Sequence, residues 1–77
     1  MNVGVITTLY FFEDNTEKLL YAEVEYKGRT ITGGYRFESV IYGWEYILSE
    51  DMASVEFNGA KYRTDQTKAW YYNLTAC

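Results

Sequence analysis

The fold class depends on one stretch of the chain, SVIYGWEYILS, residues 39–49. Apolar side chains recur there at i, i+1, i+4, i+7 and i+8, the spacing of one helix face: Val40, Ile41, Trp44, Ile47 and Leu48. Ser39 precedes this stripe and is a good N-cap, because its hydroxyl can accept a hydrogen bond from a first-turn amide. The pattern therefore predicts a helix that begins at Ser39 and ends near residues 49–51.

Strand patterns precede the predicted helix. Residues 3–12 are rich in β-branched and aromatic side chains, which is typical of a strand. Residues 19–26 and 29–37 form two alternating runs, and we expect a hairpin with Lys27-Gly28 as its two-residue loop. A slip of one residue would exchange the two faces of this hairpin, so the alternation supports the register.

A second hairpin follows the predicted helix. Asn58-Gly59 is the strongest short hairpin signal in the sequence. This loop would pair Val55 with Tyr62 on one face and Glu56 with Lys61 on the other, where opposite charges attract across the strands. Residues 67–77 fit both a helix and a strand, and their composition favours a further strand.

The expected architecture is a two-layer α+β domain. The element order is β-β-β-α-β-β with a sixth strand favoured at the end, so we expect one helix packed on one face of an antiparallel sheet of five to six strands. At 77 residues the chain predicts a single domain, residues 1–77. A chain of this length buries only about 60–65% of its unfolded surface, so the core is small.

The composition excludes several kinds of chemistry. The chain has no histidine and one cysteine, which removes a His-based catalytic triad, a His metal site, a Cys-rich zinc finger and a disulfide scaffold. The acidic loop EDNTE, residues 13–17, offers oxygen ligands but lacks the spacing of a calcium-binding loop. We therefore expect no enzyme activity, no catalytic residue, no metal and no cofactor.

The charge balance argues against a nucleic-acid-binding protein. The chain carries 11 acidic and 7 basic side chains, for a net charge of −4, whereas phosphate contacts require a positive field. Lys61, Arg63 and Lys68 could still form a small basic stripe beside aromatic side chains that stack on bases. A weak single-stranded nucleic-acid-binding module therefore remains a second alternative.

The most informative excess is tyrosine. The chain has nine tyrosines, four phenylalanines and two tryptophans, more than one small core accommodates. They either cover the edges of the core or form an interface, where tyrosine and tryptophan are enriched. On the predicted helix, Tyr42 and Tyr46 lie off the apolar stripe with acidic residues beside them, which would attract a basic partner. The predicted partner-binding residues are Tyr42, Tyr46, Glu45, Glu50, Asp51 and Trp70.

Three features predict a cytoplasmic location. The sequence has no run approaching the roughly 18–20 apolar residues that a membrane helix needs, so we expect no membrane association. The first residues lack the basic region of a signal peptide. The single cysteine, Cys77, suits a reducing compartment.

The general profile is short, acidic, histidine-free, aromatic-rich and α+β. It is similar to that of small phage or mobile-element accessory proteins that inhibit a host nucleic-acid-handling defence machine, such as anti-CRISPR or anti-restriction proteins. This resemblance is one of class and rests on no particular residue. It implies a small non-enzymatic inhibitor that binds and blocks a larger protein in the cytoplasm of a bacterial host. The first alternative is a structural or self-associating subunit, a homodimer that hides Tyr10, Phe12, Tyr71 and Tyr72.

Overall fold

The described residues form a single antiparallel sheet. The computed structural model describes residues 2–13 and 16–65, and these contain six strands and no helix. The strands are β1 (Ile6–Phe12), β2 (Leu19–Arg29), β3 (Tyr35–Ser39), β4 (Glu45–Leu48), β5 (Ser54–Phe57) and β6 (Ala60–Arg63). They follow one another across the sheet in chain order, and each neighbouring pair is antiparallel. This part of the chain is all-β, so the predicted α+β class is wrong.

The predicted helix is one turn followed by a strand. Ser39 does begin a helix-like turn, since its carbonyl oxygen accepts the N–H of Gly43 at 2.9 Å. Gly43 then adopts a φ of +73°, the left-handed conformation that ends helices. From Glu45 the chain is β4, whose alternation buries Tyr46 and Leu48 and turns Glu45 and Ile47 outward. The helix prediction was wrong because the spacing of Trp44 and Leu48 fits one face of a strand as well as one face of a helix.

The first predicted hairpin has the right faces but the wrong loop. Strand β2 continues through Lys27-Gly28 to Arg29, with a register shift between Tyr26 and Gly28. The actual turn is residues 30–34, in which the Thr30 hydroxyl accepts the N–H of Gly34 at 2.9 Å. Val24 consequently lies opposite Ser39, not opposite Ile31 as the two-residue loop requires. The register differs from the predicted one by an even number of residues, so the side chains that remain in β2 and β3 keep their faces, whereas Ile31 lies in the turn and is fully exposed.

The second predicted hairpin is confirmed. Val55 lies opposite Tyr62 and Glu56 opposite Lys61, with Asn58-Gly59 between β5 and β6. The local turn chemistry was sufficient to fix this register. The further strand predicted for residues 67–77 lies outside the described residues.

The sheet curls around its own core. Its two edge strands approach each other, and Phe11 in β1 forms a bridge with Thr64, the residue after β6. The concave face buries nine apolar side chains, namely Leu9, Phe11, Val24, Tyr26, Phe37, Tyr46, Leu48, Met52 and Val55. This curling replaces the helix layer that the α+β prediction required.

The turns divide into two ends of the sheet. Successive turns of an antiparallel meander alternate between its ends, so the turn at residues 40–44 lies at the same end as Asn58-Gly59. We call this the aromatic end. The turns at residues 30–34 and 49–53 lie at the other end, where the Glu50 carboxyl group lies beside Gly33. Among the described residues there is no helix that could cross a membrane.

Candidate functional site

The site is built on the turn between β3 and β4. Ser39 is buried at the end of β3, and its hydroxyl oxygen accepts the N–H of Trp44 at 2.9 Å. The N–H of Ser39 in turn donates to the carbonyl oxygen of Trp44 at 2.8 Å. These two bonds close the turn, while the side chains of Val40, Ile41 and Tyr42 remain exposed.

An aromatic row connects this turn to the core. The Tyr42 and Trp44 rings stack with centroids 4.3 Å apart and planes 13° apart. Trp44 also contacts Phe57, at 5.4 Å and 44°, and Phe57 stacks on Tyr46 at 4.5 Å and 14°. Tyr46 is 4% exposed, whereas Trp44 is 48% and Tyr42 66% exposed. The rings of Tyr42 and Trp44 are therefore exposed to solvent but already fixed by their contacts with each other and with Phe57. This fixation lowers the conformational entropy lost when a partner binds them.

Trp44 separates two grooves at the aromatic end. The larger has a volume of about 630 Å³, and we call it the Trp44 groove. It is lined by Trp44, Glu45, Ile47, Glu56, Phe57, Asn58 and Gly59. The smaller, of about 220 Å³, is lined by Tyr21, Ala22, Glu23, Ser39, Ile41, Tyr42, Trp44 and Tyr46. The first combines aromatic walls with two carboxylates, and the second is mainly apolar.

An acidic row crosses the outer face next to the site. Glu25 lies opposite Glu38, and Glu38 opposite Glu45, on three adjacent strands. Like charges in such positions repel one another. Two cations offset part of this charge, because Lys27 lies 3.0 Å from Glu25 and Arg36 lies 3.5 Å from Glu45. Glu45 directly follows Trp44, so the negative face adjoins the exposed rings.

The structure leaves Tyr42 and Glu45 exposed on either side of Trp44 and buries Tyr46. Tyr42 is exposed at the turn, and Glu45 lines the Trp44 groove. Tyr46 belongs to the core, so the expectation that Tyr42 and Tyr46 share one exposed helix face is wrong. The reason is the strand period, which places Tyr46 on the concave side of the sheet. Trp70 lies outside the described residues.

Glu50 and Asp51 lie at the opposite end of β4. The four residues of this strand span about 13 Å, so these acids do not flank Tyr42. An Asp51 carboxylate oxygen accepts the hydroxyl of Ser49 at 2.5 Å and the N–H of Ala53 at 3.0 Å. The hydrogen bonds from Ser49 and then Ala53 lower the pKa of Asp51. This carboxylate shapes the turn between β4 and β5.

Sequence reasoning missed three members of the site. It placed Trp44 on the apolar stripe of the predicted helix and treated Glu56 only as the cross-strand partner of Lys61, and Phe57 was not among the predicted partner-binding residues. The signal that could have found them is the strand alternation of residues 44–48, which puts Trp44 on the face of Tyr46. The hairpin at Asn58-Gly59 then brings Phe57 and Glu56 to the same end of the sheet.

Several residues predicted to act in a nucleic-acid-binding module or a homodimer contact other residues of the same chain. Arg63 lies 4.1 Å from the centroid of the Phe12 ring and 3.5 Å from the Glu17 carboxylate. The half-buried Tyr10 ring is 6.3 Å from that of Tyr21. Arg63 and Phe12 thus contact each other within the chain, although the ion pair of Arg63 with Glu17 is exposed and contributes little. Lys68, Tyr71 and Tyr72, which belong to the same alternatives, lie outside the described residues.

Neither a metal-binding cluster among the described residues nor a similar protein points to a function. Within residues 2–13 and 16–65, no group of three or more acidic or cysteine side chains is arranged to hold a metal ion. No family model, curated protein or solved structure matches the chain. Because a fold alone does not define a function, the chemistry of the exposed surface is the guide to what the protein binds.

Proposed function

We propose that this protein is a small non-enzymatic inhibitor that binds and blocks a larger protein with a basic surface. The observation that carries the proposal is the exposed Tyr42–Trp44 stack beside the acidic outer face. Binding hot spots are typically large aromatic side chains that are already held in place. Carboxylates around them steer a cationic partner and reject an anionic one.

The apolar character of the turn supports an interface. Val40, Ile41, Tyr42 and Trp44 are all exposed within five consecutive residues, and Tyr21 is exposed beside the smaller groove. Soluble monomers rarely leave a contiguous apolar patch open unless it has a binding role. A partner that covers this patch would remove apolar surface from water, which is favourable.

The class of partner follows from the general profile of the chain. A short, acidic, histidine-free and aromatic-rich protein is similar to phage or mobile-element accessory proteins, although the α+β part of that profile does not apply. A net charge of −4 suits the cationic groove of a nucleic-acid-handling defence machine. We therefore place the proposed partner among such machines in the cytoplasm of a bacterial host.

The test removes the two exposed rings together. Tyr42→Ser with Trp44→Ser should lower capture of the partner at least tenfold, since hot-spot truncations cost about 2 kcal/mol or more each. The measurement is quantitative mass spectrometry of proteins captured from a bacterial lysate, followed by a dissociation constant with the purified partner.

The matched control is Ile31→Ser. Ile31 is a fully exposed apolar residue at the opposite end of the sheet, so its loss should leave capture unchanged. Both proteins must retain the circular dichroism spectrum of the unmodified chain. Equal capture by the double variant and the unmodified protein would show that this surface is not the interface.

A further inference from the structure

The Trp44 groove has the chemistry of a receptor for one arginine side chain. Building on the proposed function, we infer that the partner inserts an arginine there, with its guanidinium group against the Trp44 indole and near the carboxylates of Glu45 and Glu56. The groove would thereby contribute the specific contact within a broader acidic and aromatic interface.

The indole ring offers the surface that a cation prefers. Tryptophan binds cations through its ring face more strongly than tyrosine or phenylalanine does. Tyr42 stacks on Trp44 and lines the smaller groove but not the Trp44 groove. Trp44 nevertheless remains about half exposed and lines the larger groove as well, so part of the indole stays open to a ligand there.

The two carboxylates of the groove are accessible. Glu56 is exposed and makes no ion pair with any residue in the described part of the chain. Glu45 contacts Arg36 at 3.5 Å, but both side chains are about half exposed. Exposed ion pairs of this kind are worth little, so an incoming guanidinium group can displace Arg36.

Two of the chain's three arginines combine an aromatic ring with a hydrogen-bond acceptor. Arg29 lies 4.4 Å from the centroid of the Tyr35 ring and donates to the carbonyl oxygen of Gly34. Arg63 likewise combines the Phe12 ring with the carboxylate of Glu17. Among the described residues no arginine lies over Trp44, although acceptors stand beside it. The Trp44 groove thus offers a ring beside carboxylates, and its neighbouring arginine, Arg36, pairs with Glu45 without covering the ring.

Arginine fits the groove better than other ligands. Its planar guanidinium group stacks on aromatic rings and binds carboxylates with two parallel hydrogen bonds, which the ammonium group of lysine does not do. Ile47 adds an apolar wall for the methylene stem. A nucleic-acid base could also stack on Trp44, but Glu45 and Glu56 would repel its phosphates.

The test compares two cationic peptides of equal charge. Fluorescein-labelled hexa-arginine and hexa-lysine are titrated with the full chain at low ionic strength, and binding is followed by fluorescence anisotropy. We expect hexa-arginine to bind about fivefold more tightly than hexa-lysine, as the strength of a cation–π contact implies. Trp44→Leu should abolish this preference, whereas Trp44→Tyr should retain most of it.

The carboxylates are tested with a matched change of charge. Glu45→Gln with Glu56→Gln should weaken hexa-arginine binding several-fold. Glu13→Gln with Glu50→Gln removes the same charge outside the groove and should have a smaller effect. Equal binding of the two peptides, no binding of either, or an arginine preference that survives Trp44→Leu would overturn the inference.

These outcomes are separable from failure of the proposed function. If the peptides show no arginine preference but capture of a partner still depends on Tyr42 and Trp44, the arginine receptor is wrong and the interface stands. If the arginine preference depends on Trp44 but Tyr42→Ser with Trp44→Ser leaves capture unchanged, the groove binds arginine but the partner does not use it, and the proposed interface is wrong.

Discussion

Two tyrosines of the core are almost fully buried. Tyr26 and Tyr46 are only 5% and 4% exposed, and this burial raises the pKa of both. The positive charge of Arg29 opposes the rise in the pKa of Tyr26, while Tyr62 adds to it at Tyr46. The folded state therefore favours the neutral phenol at both positions.

This burial predicts a loss of stability at alkaline pH. Above about pH 10 the unfolded chain ionises these tyrosines first, so the folded state holds more protons and the free energy of unfolding falls as the pH rises. Tyr46→Phe removes one such group and should make the decline in Tm between about pH 9 and about pH 11 shallower. Thermal denaturation followed by circular dichroism over that range provides the measurement.

Tyr42→Phe is the control for this prediction. It removes a hydroxyl from an exposed ring and should leave the alkaline decline in place. An unchanged decline in Tyr46→Phe would show that burial of this hydroxyl does not contribute to the pH dependence.

The turn at residues 39–44 is the element that makes the site. It occupies one helix-like turn, and the bond between the Ser39 hydroxyl and the Trp44 amide joins its two ends. The sequence predicted Ser39 as the N-cap of a helix, but its hydroxyl accepts the N–H of Trp44, five residues on, and the strand β4 follows. The length of the element could not be predicted, because Gly43 and the pairing of β4 with β3 and β5 end the helix-like turn.

Ser39→Ala should loosen this turn. The partly buried N–H of Trp44 would lose its acceptor, which costs about 1–2 kcal/mol in the free energy of unfolding. Hydrogen exchange at the Trp44 amide should become faster, and hexa-arginine binding should weaken because the Tyr42–Trp44 stack is less well held. Nuclear magnetic resonance measures the exchange, and urea denaturation measures the stability.

Ser39→Thr keeps the hydroxyl and serves as the matched variant. It should preserve slow exchange at Trp44 far better than Ser39→Ala does. If alanine and threonine at this position behaved alike, the hydroxyl would have no part in holding the turn.

In the molecule as a whole, Thr64 connects the two edges of the curled sheet. Its buried hydroxyl donates to the carbonyl oxygen of Met52 at 2.5 Å. Its N–H donates to the carbonyl oxygen of Ala53 at 3.1 Å, and it forms the bridge with Phe11. Thr64 thus joins β1 to the turn before β5, and the N–H of Asp65, which donates to the carbonyl oxygen of Tyr10 at 3.2 Å, adds a second link between the two edges.

Thr64→Val tests this connection with nearly the same side-chain volume. The Met52 carbonyl oxygen would lose a buried donor, at a cost of about 1–3 kcal/mol in the free energy of unfolding. Urea denaturation should show that loss, and amide exchange in β1 should accelerate more than exchange in the hairpin of β5 and β6. Thr64→Ser retains the hydroxyl and should be less affected in β1, so a larger effect of serine than of valine there would contradict this role.

In the strands that were predicted correctly, local alternation of apolar and polar residues is enough to show which side chains face the core. Alternation in β2 and β3 gave the right faces even with the wrong loop, because an even shift in register exchanges no side chain between faces. Asn58-Gly59 fixed its hairpin completely, because the geometry of a two-residue turn is local. The absence of histidine excludes a His-based catalytic triad and a His metal site whatever the fold.

Long-range strand pairing makes part of residues 39–49 a strand, and this pairing creates the site. Their spacing fits a helix face and a strand face alike, so local pattern could not choose between them. Pairing of β4 with β3 on one side and β5 on the other satisfies its backbone groups as a strand. That pairing joins residues distant in sequence, and it is what buries Tyr46, exposes Trp44 and brings Glu56 beside it.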